Sequence, residues 1–110
     1  RLLERAGYTV LAVEDGAAAL EAARDAKPFD VLVTDVVMPN MSGIELAVRM
    51  MGDHPLMGVV LLSGYTPESL DLERVLAGGA MFVPKPISSV QLLQTVLQAV
   101  PSRRAAAGRD

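Results

Sequence analysis

Residues 30–46 read DVLVTDVVMPNMSGIEL, and this segment carries the clearest indication of the fold. It begins with an apolar run that ends at Asp35, continues through a loop at 36–42, and leads into a predicted helix over 43–51. Ser42 stands directly before that helix, where its hydroxyl can accept a hydrogen bond from a free backbone N–H group. A run without polar alternation is typical of a strand buried on both faces. The stretch therefore predicts one strand–loop–helix unit of an α/β protein.

The same alternation of apolar strands and helices continues on both sides of this unit. We predict strands at 8–13, 30–35, 58–63 and 80–83. We predict helices at 1–6 (last turns only, ended by Gly7), at 17–26, 43–51 and 67–77, and from Ser88 or Ser89 onward, with an apolar face of Val90, Leu93, Leu97 and Val100. This order predicts a parallel sheet with helices on both faces. We expect residues 1–100 to form one domain and 101–110 a flexible polar tail.

Composition narrows the class of protein. The net charge of −3 provides no basic field for nucleic acid. The absence of cysteine excludes disulfides and a thiol nucleophile, and no apolar stretch approaches the roughly 18 residues of a membrane span. We therefore expect a soluble, cytoplasmic domain.

Polar side chains stand at the carboxyl ends of three successive predicted strands. They are Asp35, Ser63 and Lys85. Chemistry gathers at these ends in parallel α/β sheets. A carboxylate can accept a phosphoryl group, while a hydroxyl and a rigidly placed lysine between two prolines can stabilise its charge. Taken singly, each residue also has a purely structural explanation. Asp35 could form a turn, Ser63 could make a hydrogen bond at the strand end, and Lys85 could be a solvated surface charge.

Three segments, in order, resemble the receiver domain of bacterial response regulators. DVLVTDVVMPNMSGIEL resembles its phosphorylation loop, VVLLSGY its fourth strand with a switch hydroxyl, and AMFVPKPI its fifth strand with an aromatic residue and a Lys-Pro pair. The resemblance covers residues 1–100. It implies a flavodoxin-like doubly wound parallel sheet in three α/β/α layers.

The resemblance also implies a role for each residue at the strand ends. Asp35 would accept the phosphoryl group, and Ser63 would be the switch hydroxyl that bonds a phosphoryl oxygen. Lys85, in cis linkage to the next proline, would pair with the phosphoryl group. Phe82 takes the place of the switch aromatic residue. The Asp35 carboxylate and the Val37 carbonyl would be ligands of Mg²⁺.

The implied partner is a sensor histidine kinase or a histidine phosphotransfer domain, which supplies the phosphoryl group from a phosphohistidine. The implied readout is a packing change on the surface of the family's fourth helix, fifth strand and fifth helix. Catalysis would amount at most to self-catalysed phosphotransfer and dephosphorylation. The segment LLSGYTPES favours attachment to a hybrid sensor histidine kinase.

The stretch YTVLAVEDG, residues 8–16, also ends in acids that could hold Mg²⁺. Asp35 lies only 20 positions after Asp15, whereas the family's metal-binding acids end the first strand, one repeat earlier. We therefore interpret Glu14 and Asp15 as a turn into the second helix, where acids favour the helix dipole.

The resemblance then implies that the family's first strand and most of its first helix lie outside these 110 residues. We expect unpaired strand edges and a gap in the core. We also expect weak Mg²⁺ binding, and dimerisation or strand swapping through the exposed edges.

Two other functions stay open. A phosphorylation-independent pseudo-receiver would bind proteins only, although the complete set of Asp35, Ser63 and Lys85 argues against it. An enzyme on a similar sheet is the other alternative: an aspartyl-phosphate phosphohydrolase would need an acid at Val37, and a flavin carrier a phosphate-binding loop after its first strand. His54, the only histidine, is expected to be a solvated loop residue.

Overall fold

The computed structural model describes residues 2–25, 29–38, 40–64 and 70–100. The helices in these ranges are α1 (Leu2–Arg5), α2 (Gly16–Asp25), α3 (Gly43–Asp53), α4 (Leu70–Ala77) and α5 (Ser89–Ala99). The strands are β1 (Val31–Asp35), β2 (Gly58–Ser63) and β3 (Met81–Pro84). Strands and helices alternate from β1 onward, as the sequence predicts.

The three strands form a parallel sheet in the order β1-β2-β3. Each connection passes through a helix, which is what parallel neighbours require. Asp35 lies opposite Leu62, and Ser63 lies opposite Pro84. The carboxyl ends of all three strands therefore meet at one edge of the sheet.

Helices cover both faces of the sheet. On one face, Val59 and Leu61 of β2 pack with residues of α3 and α4 in a buried apolar cluster. Val60 points to the opposite face because side chains alternate along a strand, and α5 contacts β1 and β2. The chain has the flavodoxin-like α/β architecture, with a sheet between two helical layers.

Residues 8–13, predicted as a strand, form none. The segment pairs with no strand in the described ranges, and Leu11 is 54% exposed. A cavity of about 330 Å³ lies beside it, lined by 13–15 on one side and by 32–35 on the other. A strand exists only where a neighbouring backbone supplies hydrogen-bond partners. Because the cavity lies between residues 8–13 and β1, the backbone of this segment cannot form hydrogen bonds with β1. The cavity lies where we expected a gap in the core.

Other boundaries shift by one or two residues from the predicted ones. Helix α3 continues through Gly52, which we expected to end it, because the N–H group of His54 donates to the carbonyl of Met50 and closes one more turn. His54 itself is half-buried at the end of α3, so it is not the fully solvated residue we expected. The start of the helix predicted at 67–77 and the tail at 101–110 lie outside the described residues.

The predicted helix caps are present. The hydroxyl of Ser42 accepts a hydrogen bond of 3.0 Å from the N–H group of Glu45. At α5 the cap is Ser88 rather than Ser89, and its hydroxyl accepts from the N–H group of Gln91 at 3.1 Å. The Gln91 side chain accepts a bond from the Ser88 N–H group in return, which completes a capping box.

The apolar face predicted for α5 is wrong at two of its four positions, because Leu93 and Val100 are half-buried but Val90 and Leu97 are exposed. Val90 and Leu97 are 63% and 66% exposed, whereas Val96 and Ala99 are buried. The packing of α5 on β2 sets this rotation, because a side chain at Gly58 would collide with the backbone of Ala99. Only a glycine at that point of β2 lets the helix approach so closely.

No helix in the described part of the chain combines the length and the apolar character of a membrane span.

Candidate functional site

Backbone hydrogen bonds extend the sheet beyond the ends of its strands. The N–H group of Val36 donates to the carbonyl of Leu62 at 2.9 Å, and the N–H group of Lys85 donates to the carbonyl of Ser63 at 2.7 Å. The residues that follow β1 and β3 are therefore held against β2. This arrangement brings Asp35, Ser63 and Lys85 to the same edge of the sheet.

The side chains of Asp35 and Lys85 form an ion pair. The Nζ of Lys85 lies 2.6 Å from Oδ1 of Asp35. The Lys85 side chain is 46% exposed and the Asp35 side chain 47%. An ion pair this exposed contributes about 0–1 kcal/mol to stability. The pair thus does little for the fold, while it leaves a carboxylate accessible beside a fixed positive charge.

Gly43 determines the path of the loop after Asp35. Its N–H group donates to the carbonyl of Val36 at 2.8 Å, so α3 begins directly against the end of β1. A Cβ atom at this position would collide with the carbonyl group of Asp35. No role for Gly43 was predicted from the sequence, although it ends the stretch MPNMSG, residues 38–43, within the segment that resembles the phosphorylation loop.

Two further contacts hold the same loop. The hydroxyl of Thr34 donates to the carbonyl of Asp35 at 3.0 Å and contacts the sulfur of Met38 at 3.4 Å. Asn40 has a φ angle of 69°, a left-handed conformation that asparagine tolerates better than most residues. Neither role was predictable from the sequence, since both depend on the geometry of the loop.

Ser63 and Phe82 lie on neighbouring strands behind the ion pair. Ser63 is 3% exposed at the end of β2. Phe82 lies opposite Leu61 and packs, half-buried, against the cluster between the sheet and helices α3 and α4. The peptide bond from Lys85 to Pro86 is cis, as the resemblance implies.

Glu14 and Asp15 line the same cavity as Asp35 and Val37. Oδ1 of Asp15 accepts a hydrogen bond of 2.8 Å from the N–H group of Ala18, in the first turn of α2. This bond bears out the predicted role of Asp15 in the turn into the helix. The proximity to Asp35 was not predicted, because it depends on how α2 packs against α3.

The donor set fits Mg²⁺ only in part. Mg²⁺ takes octahedral oxygen ligands, commonly one or two carboxylates together with waters. The Asp35 carboxylate and the Val37 carbonyl follow one another at the end of β1, and Val37 is 64% exposed. In the described ranges, no three histidine, cysteine or acidic side chains come together as a metal site would require.

Comparisons with known proteins agree with this geometry. The family model of the response regulator receiver domain matches residues 1–97. The response regulator receiver protein CpdR of Brucella abortus is 33% identical over 96 residues, which cover 87% of this chain and 79% of CpdR. The sensor kinase CckA of the same organism is 35% identical over 97 residues, 87% of this chain but 10% of CckA.

A solved structure shares the fold as well. The chemotaxis protein CheY4 of Vibrio cholerae superposes with a TM-score of 0.73 and 34% identity, covering 90% of this chain and 83% of its own. The fold, the family match and the residues gathered at the strand ends all lead to one conclusion: this chain belongs to the response regulator receiver domain family.

Proposed function

We propose that this chain is the phosphoacceptor module of a two-component phosphorelay, and that Asp35 receives the phosphoryl group. The observation that carries this proposal is the contact of 2.6 Å between Asp35 and Lys85 at the open edge of the sheet. A phosphoacceptor role is general to receiver domains. Their partners are sensor histidine kinases or phosphotransfer proteins, and we propose such a partner for this chain.

The proposed step transfers a phosphoryl group from an imidazole nitrogen of the partner to a carboxylate oxygen of Asp35. A carboxylate oxygen of Asp35 attacks the phosphorus of a phosphohistidine, the P–N bond breaks, and the electron pair leaves with the imidazole, which takes up a proton. The product is an acyl phosphate on Asp35. Such transfers depend mainly on positioning and charge neutralisation, and Lys85 supplies a fixed positive charge. The half-exposed Asp35 carboxylate leaves room for the donor.

Receiver domains generally bind Mg²⁺ for phosphorylation. We propose that this chain binds it weakly, through the Asp35 carboxylate and the Val37 carbonyl, two residues that line the cavity at the end of β1. Bound there, the ion would neutralise charge. With so few protein ligands, we expect slow phosphorylation of the isolated chain.

The proposed readout involves Ser63, Phe82 and the α4–β3–α5 face. Ser63 is held at the site by the bond from the Lys85 N–H group, and a turn of its hydroxyl toward the phosphoryl group would change the packing beside Phe82. The exposed apolar side chains of Val90 and Leu97 on α5 give this face a contact surface for a partner protein.

The 110-residue chain is similar to proteins of very different lengths. We therefore also propose which kind of protein contains it. Similarity to CckA supports a receiver within a hybrid sensor histidine kinase. The net charge of −3 supports a module that does not itself bind nucleic acid. We propose that this module is cytoplasmic.

Labelling with a small phosphodonor tests the function. The chain is incubated with acetyl phosphate and Mg²⁺, and the modified residue is located by mass spectrometry. We expect one phosphoryl group on Asp35, none in Asp35→Asn, and normal labelling in Asp53→Asn, which removes an exposed acid at the end of α3. Labelling of the Asp35→Asn variant to the same extent would refute the assignment.

A second candidate is the phosphorylation-independent pseudo-receiver, a protein-binding module, which the exposed apolar side chains of Val90 and Leu97 on α5 would suit. In that case the chain would bind its partner kinase without phosphorylation. Calorimetry measures the affinity for the partner kinase. An affinity that is the same for wild type and Asp35→Asn, and that a phosphodonor does not change, would support this candidate over the first.

A further inference from the structure

The side chain of Thr34 is buried directly before the proposed phosphoacceptor. Thr34 is 7% exposed and stands one residue before the end of β1. Its hydroxyl donates to the carbonyl of Asp35 at 3.0 Å and lies 3.4 Å from the sulfur of Met38. Buried hydroxyl groups are hydrogen-bonded in native proteins, and both of these contacts are made to the loop that begins at Asp35. The hydroxyl therefore links β1 to this loop.

Backbone hydrogen bonds hold the first residues of the same loop. The N–H group of Val36 donates to the carbonyl of Leu62 at 2.9 Å, and the carbonyl of Val36 accepts from the N–H group of Gly43 at 2.8 Å. The carbonyl of Asp35, in contrast, accepts its bond from a side chain, that of Thr34. A substitution of Thr34 can therefore remove this one bond while the backbone bonds remain.

The two contacts of Thr34 lie on either side of Val37 along the chain. Asp35 precedes Val37, and Met38 follows it. The Asp35 carboxylate and the Val37 carbonyl are the groups that we propose as ligands of Mg²⁺. Side chains that hold metal ligands from outside orient them, and their loss commonly weakens metal binding or activity. Thr34 is in a position to orient both groups.

We propose that Thr34 is a positioning residue for phosphoryl transfer. Its hydroxyl fixes the peptide group between Asp35 and Val36, and with it the directions of the Asp35 carboxylate and the Val37 carbonyl. This inference rests on the proposed function, because it assigns Thr34 a part in the same transfer. Since such transfers depend mainly on positioning, a small rotation of this peptide group slows the step.

Two substitutions separate the hydroxyl from the rest of the side chain. Thr34→Val keeps the shape and removes the donor, whereas Thr34→Ser keeps the donor and removes the methyl group. With acetyl phosphate and Mg²⁺, we expect labelling of Thr34→Val to be about three- to tenfold slower, the range that one neutral hydrogen bond spans. Thr34→Ser should label at nearly the wild-type rate. Thr95→Val makes the same change at a half-buried threonine of α5 and should label like wild type.

Amide hydrogen exchange without metal or phosphodonor tests the positioning role separately. The Gly43 amide, which donates to the carbonyl of Val36, should exchange about three- to tenfold faster in Thr34→Val. The Leu46 amide, which donates to the carbonyl of Ser42 in the same helix, is the internal reference and should be unchanged. A general loss of stability would speed both amides alike, so the ratio of the two rates reports on the loop.

Three results would overturn the role of Thr34 while the proposed function stands. The first is wild-type labelling of Thr34→Val when Asp35→Asn is unlabelled. The second is equal slowing in Thr34→Ser and Thr34→Val, which would assign the effect to the methyl group. The third is an unchanged ratio of the Gly43 and Leu46 exchange rates. Labelling of Asp35→Asn to the wild-type extent would instead refute the proposed function itself.

Discussion

The Nζ of Lys85 lies 2.6 Å from Oδ1 of Asp35, although Asp35 ends β1, Lys85 directly follows β3, and β2 lies between these two strands. The pair spans the carboxyl edge of the sheet and is nearly half exposed on both sides. In water-exposed surroundings such a contact stabilises a protein little. Its location therefore matters more for chemistry at Asp35 than for folding.

Replacement of Lys85 by alanine separates these two effects. We expect Lys85→Ala to slow phosphoryl incorporation at Asp35 strongly, because the fixed charge that neutralises the phosphoryl group is lost. The free energy of unfolding in urea should change by no more than about 1 kcal/mol. Rates of labelling by acetyl phosphate and urea unfolding curves measure the two quantities.

Arg49→Ala is the matched control for this change. It removes another exposed ion pair, in which Nη2 of Arg49 lies 3.1 Å from Oε2 of Glu45. Both variants should be similarly stable, but labelling should be normal in Arg49→Ala. Equal labelling of the two variants would show that Lys85 has no special part in the transfer.

The acids beside the cavity can be tested for metal binding. We expect Glu14→Gln and Asp15→Asn together to leave the weak Mg²⁺ affinity unchanged, because Asp15 already accepts a hydrogen bond from Ala18 at the start of α2. Asparagine keeps this cap, so the fold is preserved. A titration with Mg²⁺, followed by the NMR shift of the Asp35 amide, measures the affinity. A marked loss of Mg²⁺ affinity in the double variant would show that these acids are metal ligands.

Substitution of Gly43 tests the loop that follows Asp35. We expect Gly43→Ala to destabilise the fold by about 1–3 kcal/mol, since the added methyl group would collide with the backbone of Asp35. Gly52→Ala, in the same helix, meets no atom within 4 Å and should stabilise it by about 0.5–1 kcal/mol. Urea unfolding measures the free energy of unfolding of both variants, which should change in opposite directions. An equal change in the two variants would contradict the close approach of Gly43 to the backbone of Asp35.

The cap of α5 provides a prediction about stability alone. We expect Ser88→Ala to cost about 1 kcal/mol, because it removes the acceptor for the Gln91 N–H group and breaks the capping box. Ser89→Ala changes the neighbouring exposed serine inside the helix and should be close to neutral. If thermal unfolding shows the larger loss for Ser89→Ala, the assignment of the cap is wrong.

Elements with local signals were predictable from the sequence. Strand β2 reads as an unbroken apolar run because both of its faces are covered, and Ser42 and Ser88 cap their helices through residues three positions along the chain. Asp35, Ser63 and Lys85 were recognisable because parallel topology brings successive strand ends to one edge. The roles of Gly43 and Thr34 were not, since they arise from close approach within a folded loop.

The order of the elements, the helix caps and the residues that meet at the carboxyl edge were all predictable from the sequence. These features depend on hydrophobic period, local hydrogen bonds and topology, all of which can be read along the chain. Long-range packing determines that residues 8–13 pair with no strand in the described part of the chain, that Val90 and Leu97 point outward, and that Glu14 and Asp15 share a cavity with Asp35. Each of these depends on a neighbour distant in sequence: a strand needs a partner backbone, and a helix face is buried only where another surface reaches it.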